Sequence, residues 1–177
     1  MKQKDFGKLT KDLMLLARAD SNVVTINKED IEIDKLIKEI ALPYQEFAEA
    51  QGKKINLNLN YEKAINIDRN KIHQLMVILL DNAMKYTEKN EKIEINTYVK
   101  DGKCNIEVRD TGIGVNDETI KHAFDRFYRE DKARSRATGG SGLGLAIAHY
   151  IVDAHGGTIK LEHNYPKGTA VIVKLPK

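Results

Sequence analysis

Residues 103–114 read KCNIEVRDTGIG. Cys104, Ile106 and Val108 alternate with Asn105, Glu107 and Arg109, the period of a β-strand with one buried face. The alternation stops at Asp110, and Asp110-Thr111-Gly112-Ile113-Gly114 follows. Glycines at that spacing let the backbone turn sharply and approach a ligand closely. A carboxylate at the end of the strand can accept a hydrogen bond from an amino group such as that of adenine. Taken alone, the same residues are also an ordinary Asp-Gly turn, so their surroundings must decide.

Working back toward the N-terminus, Ile93, Ile95 and Val99 alternate through 92–100, and Asp101-Gly102 signals a tight hairpin into 103–109. Asp68 is placed to cap a helix running to about Tyr86, with Ile72, Leu75, Met76, Leu79 and Ala83 on one face. Ile55, Leu57 and Leu59 alternate with asparagines as a half-buried strand. Asn27 or Asp30 is expected to cap an earlier helix reaching about Gly52, with an apolar stripe through Phe47 and a kink at Pro43. Val23–Ile26 suggests a short strand, and residues 1–20 a helix with Leu9, Leu13, Leu16 and Ala19 in line.

Toward the C-terminus, a short helix is expected over 117–123 and a charged, Gly-rich mobile loop over 129–141. A helix over 142–154 is closed by His155-Gly156-Gly157, and two strands, 158–163 and 169–175, flank a turn at 164–168. Antiparallel hairpins with separate helices predict an α+β fold: a two-layer sandwich whose mixed, mostly antiparallel sheet is covered on one face by helices.

Composition narrows the classes. A chain of 177 residues, 41% hydrophobic and 31% charged, can build one packed domain. The 29 basic against 26 acidic residues leave a net charge of +3, too small to argue for nucleic acid. No apolar run approaches a membrane span, and the first residues lack the apolar core of a signal peptide, so the chain reads as soluble. Cys104, the only cysteine, reads as a small buried apolar residue, compatible with a reducing cytoplasm.

Three further clusters carry chemistry. Gly139-Gly140-Ser141-Gly142-Leu143-Gly144 opens a helix, where backbone N–H groups and the helix dipole favour phosphate. It is neither a P-loop, since no GK[ST] follows, nor a Rossmann turn, since no strand leads into it; a flexible hinge is the other reading. Asn82 and Lys85 fall on one side of a helix, an amide oxygen suited to Mg²⁺ and an ammonium suited to phosphate, or else a solvated polar face. Phe124-Asp125-Arg126-Phe127-Tyr128-Arg129, followed by Lys132, Arg134 and Arg136, could clamp a polyphosphate or could be an amphipathic turn beside a charged loop.

In this order the clusters resemble the N, G1, F and G2 boxes of sensor histidine kinases, in the ATPase superfamily that includes gyrase B, the heat-shock-90 chaperones and MutL. The tracts LLDNAMKYT, VRDTGIGV, FDRFYRED and TGGSGLGLAIAHYIVDAHGG carry the likeness, which covers about residues 20–177. It implies a Bergerat-type ATP site between a helical layer and a sheet. On that reading Asn82 ligates the Mg²⁺ bridging the ATP phosphates, Lys85 contacts phosphate and Tyr86 lies near the nucleotide. Asp110 takes the adenine amino group, Gly112 and Gly114 allow its approach, and Thr169 adds a water-mediated contact to the base. Phe124, Phe127 and Arg129 border the nucleotide, Arg129 and the loop cations neutralise the γ-phosphate, and Gly140, Gly142, Leu143 and Gly144 shape the phosphate-facing helix start. Asn82, Lys85 and Arg129 would carry catalysis, by positioning and charge neutralisation for in-line phosphoryl transfer to histidine.

The chain departs from the pattern twice. The family's acceptor motif, resembling His-Glu-Leu-Arg-Thr-Pro, is absent, and His73, His122, His149, His155 and His163 lack its neighbours. Residues 1–20 resemble the end of the second dimerisation helix, leaving 21–177 as the catalytic domain. The acceptor would therefore come from a dimerisation and histidine-phosphotransfer domain outside this chain, a response regulator would take the phosphoryl group onward, and the chain alone is expected to be a monomer. The parent is expected to be a membrane sensor with this domain in the cytoplasm. Second, Ile78 stands one turn before Asn82, where these kinases carry another asparagine and hydrolysing relatives a glutamate. Isoleucine can neither bind metal nor activate water, which argues against hydrolysis. The competing reading is a nucleotide-gated protein-interaction module without chemistry; a kinase acting on serine is a third.

Overall fold

The computed structural model describes Thr10, Leu13, Met14, Leu16, Ala17, and residues 25–129 and 141–177. The five described N-terminal residues are helical, and Leu16 is buried. Seven strands and four labelled helices follow in the order β1 (Glu29–Glu32), α1 (Ile33–Ala50), β2 (Lys54–Leu59), β3 (Ala64–Ile67), α2 (Arg69–Tyr86), β4 (Lys92–Lys100), β5 (Lys103–Asp110), α3 (Asp117–His122), α4 (Gly144–Ala154), β6 (Thr158–His163) and β7 (Thr169–Leu175).

Five strands make one sheet in the order β2-β4-β5-β7-β6. The β2–β4 pair is parallel and the other three pairs are antiparallel, the mixed sheet expected. Asp101 and Gly102 both hold positive φ, at 53° and 69°, which is what a two-residue turn of the right twist requires between β4 and β5. The register then sets Ile95 opposite Val108 and Val108 opposite Val171, lining the helix-facing side of the sheet with branched residues. α1, α2 and α4 cover that side. Ile37, Leu75, Met76, Leu80, Ile106, Ile147 and Val173 are almost fully withdrawn from water in one continuous core. Cys104 belongs to it, and burial pushes its thiol up to about 12, so it packs as an inert apolar group.

The structure corrects several local expectations. Residues 29–32 form a strand paired antiparallel with β3, Ile31 opposite Ile65, so α1 begins only at Ile33. Its N-cap is Glu32 without a side-chain cap bond, not Asn27 or Asp30. Val23 and Val24 lie outside the described residues, and Thr25 and Ile26 are not in a strand. Phe47 is 56% exposed and leaves the buried stripe, while α1 continues past Pro43 to Ala50. Asp68 does cap α2, its carboxylate accepting from the Lys71 N–H at 3.0 Å. α4 starts at Gly144 because Gly142 holds φ of 72°, outside the helical region.

Candidate functional site

Asp110 ends β5 and is only 7% exposed. One carboxylate oxygen accepts from the Gly112 N–H at 2.9 Å and from the Thr169 N–H at 3.3 Å. Burial raises its pKa above the ordinary carboxylate value, and the two N–H donors oppose that rise. A carboxylate is costly to bury, which makes Asp110 a candidate functional group.

The glycines beside it are steric necessities. A Cβ on Gly112 would lie 2.0 Å from the Tyr86 carbonyl oxygen, and the next N–H, of Ile113, donates to that same carbonyl at 3.1 Å. The turn is thereby fastened to the C-terminal end of α2. Gly114 holds φ of 76°, open to glycine at no steric cost. About two turns earlier on α2, a Cβ on Gly144 would touch Ile78 at 3.4 Å. One side of α2 therefore runs from the start of α4, at Ile78, to the Asp110 turn, at Tyr86. Asn82 and Lys85 lie on the stretch between, about 12 Å long at helical rise. Asn82 is half-buried, and no hydrogen bond of its amide is found among the described residues. The Lys85 ammonium sits 5.1 Å from the centre of the Tyr86 ring, and Tyr86 is 41% exposed. The strip thus carries one neutral oxygen donor and one cation, bounded by a buried carboxylate and a helix N-terminus.

The aromatic segment closes on the helix start. Phe127 holds φ of 64°, its N–H donates to the Gly142 carbonyl at 2.9 Å, and a Cβ on Gly142 would come within 3.0 Å of the Phe127 backbone. Leu143 is fully buried and anchors the junction. Phe124 packs against the core with its ring 5.6 Å from that of His149, whereas Phe127 is 58% exposed. Arg129 is partly buried, and its Nη2 has no hydrogen-bond partner among the described residues. Gly139, Gly140, Lys132, Arg134 and Arg136 lie outside the described residues.

As an Mg²⁺ ligand set the described residues are sparse. They hold no cluster of three or more His, Cys, Asp or Glu side chains placed for a metal. Asp81, adjacent to Asn82, accepts a 2.7 Å hydrogen bond from the Tyr44 hydroxyl on α1. This donor set fits an ion held mainly by ligand phosphates and water, with Asn82 as its one protein oxygen. The histidines have other partners or none near the strip: buried His155 bridges Ile151 and Asp68, His122 faces Asp125 and His163 faces Asp117, while His73 and His149 are exposed.

Sequence reasoning placed the turn at 164–168 but missed its contact with Asp110. Gly168 holds φ of 115°, and a Cβ there would lie 1.9 Å from the Asp110 carbonyl oxygen; the Asn164 side-chain amide donates to that same oxygen at 2.8 Å. The Gly168-Thr169 pair at the start of the last strand was the available signal.

A family profile described as "Histidine kinase-, DNA gyrase B-, and HSP90-like ATPase" matches residues 67–177. The chain belongs to this family. Its likeness to sensor protein SrrB of Staphylococcus aureus extends further, at 33% identity over 174 residues, 98% of this chain. The chain spans about 30% of the length of that relative. Among solved structures, the catalytic domain of histidine kinase ThkA matches with a TM-score of 0.75 and 27% identity, covering 85% of this chain and 96% of that one. ThkA in complex with response regulator protein TrrA matches at 23% identity and a TM-score of 0.75, over 97% of this chain and 49% of that one. Full-length ShkA in complex with AMPPNP shares the fold, with a TM-score of 0.83 at 24% identity, covering 96% of this chain and 35% of that chain. Among the described residues no helix is long and apolar enough to cross a membrane.

Proposed function

We propose that this chain is the ATP-binding catalytic domain of a sensor histidine kinase, which transfers the γ-phosphoryl group of ATP to a histidine on a dimerisation domain outside the chain. The observation that carries the reading is the strip of α2 between Gly144 and Gly112, ending at the buried Asp110 carboxylate. Its chemistry changes from base acceptor to phosphate ligands along about 12 Å, a nucleotide's dimensions. Asp110 accepts the adenine amino group, with Gly112 and Gly114 allowing the ring to approach and Thr169 sharing its site. Tyr86 borders the nucleotide, Lys85 reaches phosphate, and the N-terminus of α4 at Gly142, Leu143 and Gly144 presents N–H groups to it. Arg129 and the cations beyond it answer the γ-phosphate charge. Asn82 would hold Mg²⁺ together with the phosphates, and the ion would supply further charge neutralisation.

Residues 1–20 belong, on this reading, to the second helix of the dimerisation domain, and a response regulator receives the phosphoryl group from the acceptor histidine. The lone, buried Cys104 suits a reducing, cytoplasmic setting for the domain. Calorimetric titration with ADP and a non-hydrolysable ATP analogue, with and without Mg²⁺, tests the site against Asp110→Asn. Saturable binding abolished by that substitution is expected; no binding by the unsubstituted chain would overturn the reading. Adding a dimerisation domain that bears the acceptor histidine should then yield acid-labile phosphate on it. ATP binding without any such product would favour the nucleotide-gated interaction module instead.

A further inference from the structure

The face of the sheet turned away from the helices carries a line of polar side chains that crosses three strands and ends at Asp110. Asn58 on β2 donates to Asn96 on β4 at 2.8 Å, and Asn96 donates to Glu107 on β5 at 3.2 Å. The other Glu107 oxygen takes the Arg109 guanidinium at 2.8 Å. Arg109 Nη1 reaches the Asn164 Oδ1 at 3.2 Å, and Asn164 Nδ2 donates to the Asp110 carbonyl at 2.8 Å. Glu107 is only 5% exposed, a buried carboxylate whose charge is answered by a guanidinium with a 39% exposed side chain.

The last two links have a directional logic. The β5–β7 ladder ends at the pair Asp110 and Thr169, so the Asp110 carbonyl stands at the ladder's final rung. There a side-chain amide supplies its donor. An asparagine amide can face either way, and its neighbours choose. Arg109 has only donors to offer, so Asn164 must turn its oxygen toward Arg109 and its NH₂ toward Asp110. Reversed, the amide would set oxygen against oxygen at the residue whose carboxylate lies in the site. The same turn is tied at its other end, where Lys167 pairs with Glu91 at 2.7 Å.

We propose that Arg109 and Asn164 are positioning residues for Asp110. Through the orientation of the Asn164 amide they set the main chain from which the Asp110 carboxylate meets the base. The role rests on Asp110 being the base acceptor, and the test separates the two. Inosine diphosphate carries a carbonyl where adenine has its amino group, so the preference for ADP over IDP reads the base contact alone. Affinities for both should be measured on this chain and on Asp110→Asn, Asn164→Asp and Arg109→Met. The unsubstituted chain should prefer ADP, and Asp110→Asn should lose ADP to no more than the level at which it takes IDP, which erases the preference. Asn164→Asp keeps the acceptor for Arg109 but loses the donor to Asp110, and should shrink the preference about fivefold, the worth of one hydrogen bond. Arg109→Met should do the same. General loosening of the fold would weaken ADP and IDP together and leave their ratio alone. An unchanged ratio in the two positioning variants, with Asp110→Asn erasing it, overturns the proposal. An unchanged ratio in Asp110→Asn overturns the base reading itself, and the positioning role falls with it. If Arg109→Met fails to fold, because Glu107 is left buried and unpaired, Asn164→Asp at the surface turn decides alone.

Discussion

At the scale of the residue, Asp110 shows how a site is bought against stability. Its folded pKa is raised, so its contribution to stability is fully present below the unfolded carboxyl value of about 3.9 and is lost as pH rises through the folded value. Asp110→Asn keeps an oxygen for the Gly112 and Thr169 N–H groups and removes the buried charge. The variant should therefore match the parent near pH 4 and gain on it toward pH 7 in thermal unfolding, while losing nucleotide. A Tm at pH 7 well below that of the parent would contradict this account. Ile78 is the second informative residue. Its side chain lies against Gly144 at the start of α4 and offers no oxygen to a metal. Ile78→Asn should steepen the Mg²⁺ dependence of nucleotide affinity at a stability cost of about 1 kcal/mol, measured by paired titrations and denaturant unfolding. Asp110, Gly112 and Asn82 were singled out in the sequence by the order of their clusters, since each alone also reads as an ordinary turn or a polar face. Asn164 and Arg109 were not, since a polar residue in a turn and a charge on a strand are commonplace, and only the pairing across 55 positions gives them a role.

At the scale of the element, the joints matter more than the spans. The end of α4 is tied to the start of α2 through His155, whose Nδ1 donates to the Ile151 carbonyl at 2.7 Å and whose Nε2 accepts from the Asp68 N–H at 3.1 Å. That pattern requires the neutral ring, and burial lowers the pKa from its usual value. Stability from this group is present above about pH 6.5 and is lost as pH falls through the lower folded value. Urea midpoints taken from pH 7.5 down to pH 5 should fall, and His155→Leu should flatten that slope while costing about 1–3 kcal/mol for the unpartnered Asp68 N–H. A second joint is the crossing of the 164–168 turn over Asp110. Gly168→Ala sets a Cβ 1.9 Å from a carbonyl oxygen at φ of 115°, and both the clash and the strain are unavoidable. We expect a loss of about 3 kcal/mol or more in urea unfolding. The hairpin, α2 and its cap were read correctly because their signals are local: an Asp-Gly turn, an Asp cap, a clean apolar face. The pair β1–β3 was not, because strands of four residues carry too few positions to alternate visibly and exist only by pairing with each other.

At the scale of the whole molecule, a layer of helices over a five-stranded sheet leaves a strip of α2 through Asn82, Lys85 and Tyr86 partly exposed. A ligand that binds only the folded chain stabilises it by mass action, about 2.7 kcal/mol at one hundred times its dissociation constant. ADP with Mg²⁺ should raise the Tm in a concentration-dependent way, and Asp110→Asn should abolish the shift; a shift that persists in the variant would place the nucleotide elsewhere. Local patterns along the chain were enough for the fold class and the strand-to-glycine turn, because periodicity, turn chemistry and glycine spacing act over a few neighbouring residues. Tertiary structure alone decided that Ile78 meets Gly144, that Gly112 lies on the Tyr86 carbonyl, and that Asn164 and Gly168 close over Asp110. Those contacts join segments tens of residues apart, and their distances follow from how helices and strands pack, which no local pattern encodes.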